Sequence, residues 1–178
     1  MKKLPDIETE RLILSQLKEE DIPFIVEYLQ ERDFSELTSN IPYPYTEKDA
    51  EFWLKVSKET FEMKTGFTFA IRNKKNRIII GAIGLHDRGD DKAELGYWLA
   101  KPFWNNGFVT EAAKAILVFG FKELQFNKIY ATHFIHNPAS GKIMQKIGME
   151  KEALLKQHIK KNNEYFDAAM YSVFRNKD

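Results

Sequence analysis

Cysteine is absent from this chain of 178 residues. Disulfides, a thiolate nucleophile and an acyl-cysteine intermediate are therefore excluded, and structural zinc loses its commonest ligand. The four histidines, His86, His133, His136 and His158, are not spaced as a metal-binding set, so no metal is expected. An excess of one charge is lacking too, since 27 Lys and Arg against 26 Asp and Glu give a formal net charge of +1. That balance leaves neither a basic footprint for nucleic acid nor an acidic tail. Long apolar runs are missing, and no segment is expected to span a bilayer. The opening residues Met1-Lys2-Lys3-Leu4-Pro5-Asp6 do not lead into an apolar stretch, which argues against a secretory leader and for a cytoplasmic location.

What remains is the composition of an ordinary globule, 43% hydrophobic and 30% charged, long enough to bury a core. No repeat, low-complexity tract or linker interrupts it, so one domain over residues 1–178 is expected. Apolar and polar residues alternate through Arg11 to Leu17, as in a half-buried strand. Glu19-Glu20-Asp21 precede Ile22, Ile25, Val26 and Leu29, which form one face of a helix. Thr46 and Asp49 have capping-box spacing ahead of the amphipathic run Phe52, Trp53, Val56 and Phe61, and Gly66 is the expected helix stop. Between these helices lies Ile41-Pro42-Tyr43-Pro44-Tyr45, a rigid aromatic segment suited to a wall over a cleft.

Strands are expected at Phe67 to Ile71, Ile78 to Leu85 and Ala93 to Leu99, and their short polar connections make an antiparallel meander. A helix over 110–123 carries apolar Ala112, Ala113, Ile116, Leu117 and Phe121 and leads to a strand from Lys128 to Ile135. Strand, helix, strand is a crossover, so those two strands should run parallel. Ser140 to Ile147 forms a last helix stopped by Gly148, and two strands finish the chain. The expected class is α/β: a mixed, mostly antiparallel sheet with one parallel pair and helices on both faces.

Chemistry is concentrated between Glu94 and Met149. Glu94-Leu95-Gly96-Tyr97-Trp98-Leu99 delivers a strand into Trp104-Asn105-Asn106-Gly107-Phe108-Val109-Thr110, which opens a helix. Successive main-chain N–H groups at a helix start, freed by a glycine, are suited to a phosphate. The plainer reading is an ordinary loop with Thr110 as N-cap and Glu111 favourable in the first turn. Asn137-Pro138-Ala139-Ser140 likewise reads as a turn with a cap for the helix that follows.

The frame from Trp104 to Val109 resembles the pyrophosphate loop of the Gcn5-related N-acetyltransferases. The phrases around it are similar to the ribosomal-protein (RimJ/RimL-type) branch. They are Glu8-Thr9-Glu10-Arg11-Leu12, Ile41-Pro42-Tyr43-Pro44-Tyr45, Gly96-Tyr97-Trp98-Leu99, Thr110-Glu111-Ala112, Asn137-Pro138-Ala139-Ser140 and Lys146-Ile147-Gly148-Met149. The resemblance implies acetyl-coenzyme A as co-substrate, held by main chain near Trp98 and Leu99 as a pseudo-strand. It implies a diphosphate on Trp104, Asn105, Asn106, Gly107, Phe108, Val109 and Thr110, with Asn137, Ser140 and Lys142 across the cleft. The family commonly has glycine where Asn105 stands and Gly or Ala where Val109 stands. Asn tolerates a left-handed backbone, whereas Val109 must already be helical.

For catalysis, the resemblance places a proton donor for the departing thiolate in the second helix. Met144 occupies the position where many members carry tyrosine and cannot donate, so Ser140 is the candidate donor and Asn137 the group that orients it. Glu94, on one face with Gly96 and Trp98, is the candidate base, against the alternative of a glutamate paired with a surface cation. Ile159 stands where some RimL-type enzymes carry a glutamate base, and His136 is the one histidine worth testing in that role. Tyr43 and Tyr45 are candidate acceptor contacts, or else packing residues. The expected reaction is acetyl transfer to a primary amine, a protein N-terminus or else a small amine such as a polyamine, amino acid or aminoglycoside, in a monomer or homodimer. A silent coenzyme-binding module is the reading from a different class.

Overall fold

The computed structural model describes residues 3–176. Met1 and Lys2, at the head of the expected leaderless N-terminus, and Lys177 and Asp178 lie outside the described residues. The elements run β1 (Ile7–Glu8), β2 (Leu12–Gln16), α1 (Ile22–Leu29), α2 (Arg32–Leu37), α3 (Glu47–Glu62), β3 (Gly66–Asn73), β4 (Ile79–Asp87), β5 (Lys92–Leu99), α4 (Phe108–Lys122), β6 (Lys128–Phe134), α5 (Pro138–Lys146), β7 (Glu150–Lys161) and β8 (Glu164–Phe174). All eight strands share one sheet, ordered β1-β2-β3-β4-β5-β6-β8-β7. Every pairing is antiparallel except β5 with β6, so the expected meander and crossover are both present.

The parallel pair is short. It matches Lys92 with Lys128, Ala93 with Ile129 and Glu94 with Tyr130, and no further. Beyond Glu94 the strands part, while β5 stays paired to β4 as far as Leu99 and β6 stays paired to β8 as far as Phe134. A cleft therefore opens in mid-sheet along a stretch of β5 that has no strand partner on the β6 side, and main-chain groups so placed seek partners.

Two cores hold the sheet, one on each face. Phe67, Phe69, Ile71, Ile83, Leu85, Leu95 and Leu99 pack under Ala112, Ala113, Ile116 and Phe119 of α4 and Met144 of α5. On the opposite face Ala70, Ala82, Trp98 and Ala100 meet Ile25 and Leu29 of α1, Phe34 of α2 and Ala50 of α3. Period-two alternation explains the division: Leu95 and Leu99 face α4 and α5, whereas Trp98 faces α1 to α3. Trp98 is met edge-on by Phe34 at 6.1 Å and at a tilt by Trp53 at 6.3 Å. One buried ion pair staples the strand layer, with Arg72 Nη1 and Nη2 on Asp21 at 2.6 and 2.7 Å and its Nε on Ser15 Oγ at 2.8 Å.

Helix boundaries follow local chemistry. The Thr46–Asp49 capping box forms, with Thr46 N–H donating to the Asp49 carboxylate at 2.8 Å. Three expected boundaries move. The α3 helix ends at Glu62, and Lys64 takes the left-handed turn at φ 60°; Gly66 instead starts β3, where a Cβ would lie 2.6 Å from Thr60 Oγ1. Gly107, not Thr110, is the N-cap of α4, because φ 76° sets the chain into the helix from the left-handed region. The α5 helix starts at Pro138, not Ser140, and Asn137 caps it, accepting from Ser140 N–H at 3.4 Å. The final hairpin turns at Asn162 and Asn163, both at positive φ, as a tight hairpin turn demands.

Candidate active site

The loop from β5 to α4 lies at the mouth of the cleft. Asn105 has φ 61° and Gly107 φ 76°, so two left-handed residues alternate with others and turn consecutive N–H groups toward one side. The first helical bond of α4 is Glu111 N–H to Gly107 carbonyl at 3.0 Å. Among the described residues, the N–H groups from Asn105 to Thr110 donate to no main-chain carbonyl. With Val109 already helical and buried, the loop is ready for an anion at a helix N-terminus. The Asn106 side chain braces it from inside, donating to the Trp104 carbonyl at 2.9 Å and the Phe103 carbonyl at 3.3 Å. Trp104 Nε1 donates to the Leu99 carbonyl at 2.6 Å, which ties the loop to the end of β5.

Across the cleft, the turn from β6 to α5 brings Ser140 to Tyr97. Tyr97 Oη lies 2.7 Å from Ser140 Oγ and 3.2 Å from the Ser140 carbonyl, so one hydroxyl pair links β5 to the first turn of α5 across the opening. Burial pushes the Tyr97 phenol up to about 12, against the pull of its bond to Ser140. It therefore stays protonated and able to donate. Tyr97 was not singled out in the sequence; the available signal was its place one residue out of phase with Glu94 and Trp98, on the face that α5 covers. Met144, in the position where many relatives of the resembling family carry tyrosine, is fully buried on the inner face of α5.

Glu94 lies on the other face at the apex of the split. Its carboxylate accepts from Arg88 Nη2 at 2.7 Å and Nε at 3.0 Å, and Thr132 Oγ1 is 3.4 Å away. Those bonds raise the Arg88 pKa further. The expected surface cation is thus present, yet Glu94 also borders the opening. His86 is its register partner on β4; burial and the Arg88 cation push that imidazole down, keeping it neutral.

Asn137 is fully committed. Its oxygen caps α5 and its Nδ2 donates to the Leu37 carbonyl at 3.2 Å, so it positions the turn that carries Ser140. His136 Nε2 donates to the Glu36 carbonyl at 3.1 Å and its ring stacks on Phe134 at 4.9 Å. From β7, Lys161 Nζ donates to the carbonyls of Ser35, Thr38 and Ile41, and burial pushes its pKa down. These three anchors tie the end of α2 and the segment that follows it to the β6–α5 turn and to β7. Within that segment Tyr43 is 53% exposed, whereas Tyr45 is packed in the α1–α3 core with its phenol raised to about 12 by burial. Tyr45 is thus packed as a core residue, in the cluster that also holds Leu29 and Ala50. Lys142 is exposed on the outer side of α5, beside a groove of about 310 Å³ shared with His133 and Lys151.

A sheet parted at its parallel pair, with an anion-ready loop at one edge of the opening and a donor hydroxyl at the other, defines an acyl-coenzyme A transferase fold. Over residues 11–150 the chain matches the family described as the acetyltransferase (GNAT) domain, and it belongs to that family of N-acetyltransferases. It is 32% identical to the uncharacterized N-acetyltransferase YnaD of Bacillus subtilis (strain 168), over 94% of this chain and 95% of that one. The crystal structure of a GNAT-family acetyltransferase from Bacillus anthracis superposes with a TM-score of 0.87 at 26% identity, covering 97% of this chain and 100% of the other. The fold is shared as well with RimL, the ribosomal L7/L12 α-N-protein acetyltransferase in complex with coenzyme A. That TM-score is 0.88 at 16% identity, over 98% of this chain and 100% of that one. Among the described residues no helix is long and apolar enough to cross a membrane, and no cluster of three or more His, Asp or Glu is arranged for a metal.

Proposed function

We infer that the protein transfers the acetyl group of acetyl-coenzyme A to a primary amine, a protein N-terminal α-amine, by direct attack within a ternary complex. The observation that carries this reading is the cleft itself. The side of β5 that β6 leaves uncovered beyond Glu94 offers main chain near Trp98 and Leu99 to a pantetheine arm, in the manner of strand addition, with the Leu99 carbonyl shared with Trp104 Nε1. The diphosphate falls on the N–H groups of Asn105, Asn106, Gly107, Phe108, Val109 and Thr110, with Trp104 holding the loop to β5. Lys142, exposed on α5, is the further candidate for a coenzyme phosphate.

Placed so, the thioester lies between the two sheet faces, with Ser140 and Tyr97 on one and Glu94 on the other. The amine nitrogen attacks the carbonyl carbon and the carbon–sulfur bond breaks. Ser140 gives its hydroxyl proton to the sulfur while the Tyr97 hydroxyl, itself kept protonated, donates a hydrogen bond to Ser140 Oγ, and the serine takes its proton back from solvent once the thiol has left. Glu94 takes the proton released by the amine through a water. Acid and base on opposite sides of the reacting carbon suit a transfer in which one proton is gained and one lost. The shared phrases of the ribosomal-protein branch support a peptide acceptor, and the exposed Tyr43 is its candidate contact.

The test is calorimetric titration of the purified chain with acetyl-coenzyme A, followed by thiol release on adding peptides with free N-termini, then polyamines. Peptide-dependent release supports the whole reading. Release with polyamines alone moves the acceptor to small amines, binding without release favours a silent coenzyme-binding module, and no binding removes the cleft as a coenzyme site.

A further inference from the structure

We propose that Arg11 is a positioning residue for the coenzyme diphosphate, an inference that rests on the reading of residues 104–110 as the diphosphate loop. Arg11 lies in the turn between β1 and β2, in the Thr9-Glu10-Arg11-Leu12 phrase for which the site so far has no use. Its main-chain N–H and its Nε donate to the two carboxylate oxygens of Glu111 at 2.8 and 2.7 Å. Its Nη1 donates to the Asn106 carbonyl at 3.0 Å. The guanidinium carbon stands 4.6 Å from the centre of the Phe108 ring. Thr9 joins the same cluster, its hydroxyl donating to Glu111 at 2.6 Å.

Each contact prepares the loop for an anion. Glu111 sits in the first turn of α4, where a bare carboxylate would repel a diphosphate bound at the start of the same helix. Burial works against that charge, yet the bonds from Thr9 and Arg11 hold the carboxyl below its usual range, so it remains ionised and is neutralised by pairing. The second contact sets a peptide plane. The Asn106–Gly107 bond is trans, so a guanidinium gripping the Asn106 carbonyl points the Gly107 N–H the opposite way. Gly107, at φ 76°, has no side chain to resist rotation of that plane; the clamp has to come from outside the loop. Finally, Arg11 Nη2 lies 3.6 Å from where a Cβ on Gly107 would be. The side chain is 43% exposed, which leaves a cationic edge beside the loop.

The test compares the full-length wild type with Arg11→Ala, Arg11→Lys, Glu111→Gln and the Arg11→Ala/Glu111→Gln pair. Each is titrated with acetyl-coenzyme A and with acetyl-pantetheine, a thioester that has no phosphate. Arg11→Ala is expected to weaken acetyl-coenzyme A by about tenfold or more, through KM rather than kcat, and to leave acetyl-pantetheine unchanged. Arg11→Lys, which keeps the charge but not the planar fork, falls between and carries the comparison if Arg11→Ala does not fold. Glu111→Gln added to Arg11→Ala should recover part of the loss, because the uncovered carboxylate is gone. Equal affinity of Arg11→Ala and wild type for acetyl-coenzyme A overturns the proposal, as does a loss shared equally by acetyl-pantetheine. A wild type that binds neither thioester overturns the coenzyme reading itself.

Discussion

If Ser140 protonates the departing thiolate and Tyr97 holds it in position, replacing each should give losses of different size that do not add. Ser140→Ala removes the donor, and general-acid catalysis of this kind is worth about 10²- to 10⁴-fold in kcat. Tyr97→Phe removes one bond of 2.7 Å between two hydroxyls. A neutral hydrogen bond contributes about 0.5–1.5 kcal/mol net, which converts to about a two- to twelvefold drop in kcat. Tyr97 has a single proton and two acceptors within reach, Ser140 Oγ and the Ser140 carbonyl. Ser140 is free to donate to sulfur only when the phenol donates to Oγ. Because Tyr97 acts through Ser140, the double variant should be no slower than Ser140→Ala alone. The assay is continuous thiol detection at saturating acetyl-coenzyme A and acceptor, with coenzyme affinity measured separately. A folded Ser140→Ala variant with kcat within about twofold of wild type would refute the donor assignment. Fully additive losses would instead give Tyr97 a role of its own.

Other expectations follow from the same geometry. Glu94→Gln should slow turnover by about 10²-fold at neutral pH and spare coenzyme binding; an unchanged rate and pH profile would leave Glu94 only its pairing with Arg88. Gly107→Glu combines a positive-φ site with a charge aimed at the diphosphate, and coenzyme affinity in the folded variant should drop by about tenfold or more. Lys161→Met frees the carbonyls of Ser35, Thr38 and Ile41; the acceptor KM should rise with coenzyme affinity intact, and proteolysis should become faster between α2 and α3. Arg72→Ala strands the buried Asp21 carboxylate and should destabilise by about 3–5 kcal/mol, read as a urea midpoint shift. Tyr45 and Tyr97 are both raised to about 12, so the unfolded chain releases these protons first. Their contribution to stability is complete below about pH 10 and is lost as pH climbs toward about 12. A urea midpoint that stays flat across that window would contradict the burial of both rings.

Sequence alone determined the elements and their order, except for the short helix α2 (Arg32–Leu37), which was not read from it. Alternation, capping residues and connection length depend on neighbours a few positions apart, and these dictate the meander, the Thr46 cap and the parallel direction of β5 and β6. The loop at Asn105 and Gly107 was legible for the same reason, since left-handed backbone is a local preference of those two residue types. Tertiary structure decided what joins residues distant in the chain. That β5 and β6 separate after Glu94 depends on which strand each retains as its other neighbour, β4 for one and β8 for the other, and no local pattern encodes where pairing stops. Tyr97 meets Ser140, Arg11 meets Glu111, and Lys161 grips the α2–α3 segment only once the sheet and its two helical layers are assembled. Tyr43 and Tyr45 make the contrast plain. They are two of a kind, two positions apart, yet one lies on the surface and the other in the core, because only the packed helices define the space that a ring can fill.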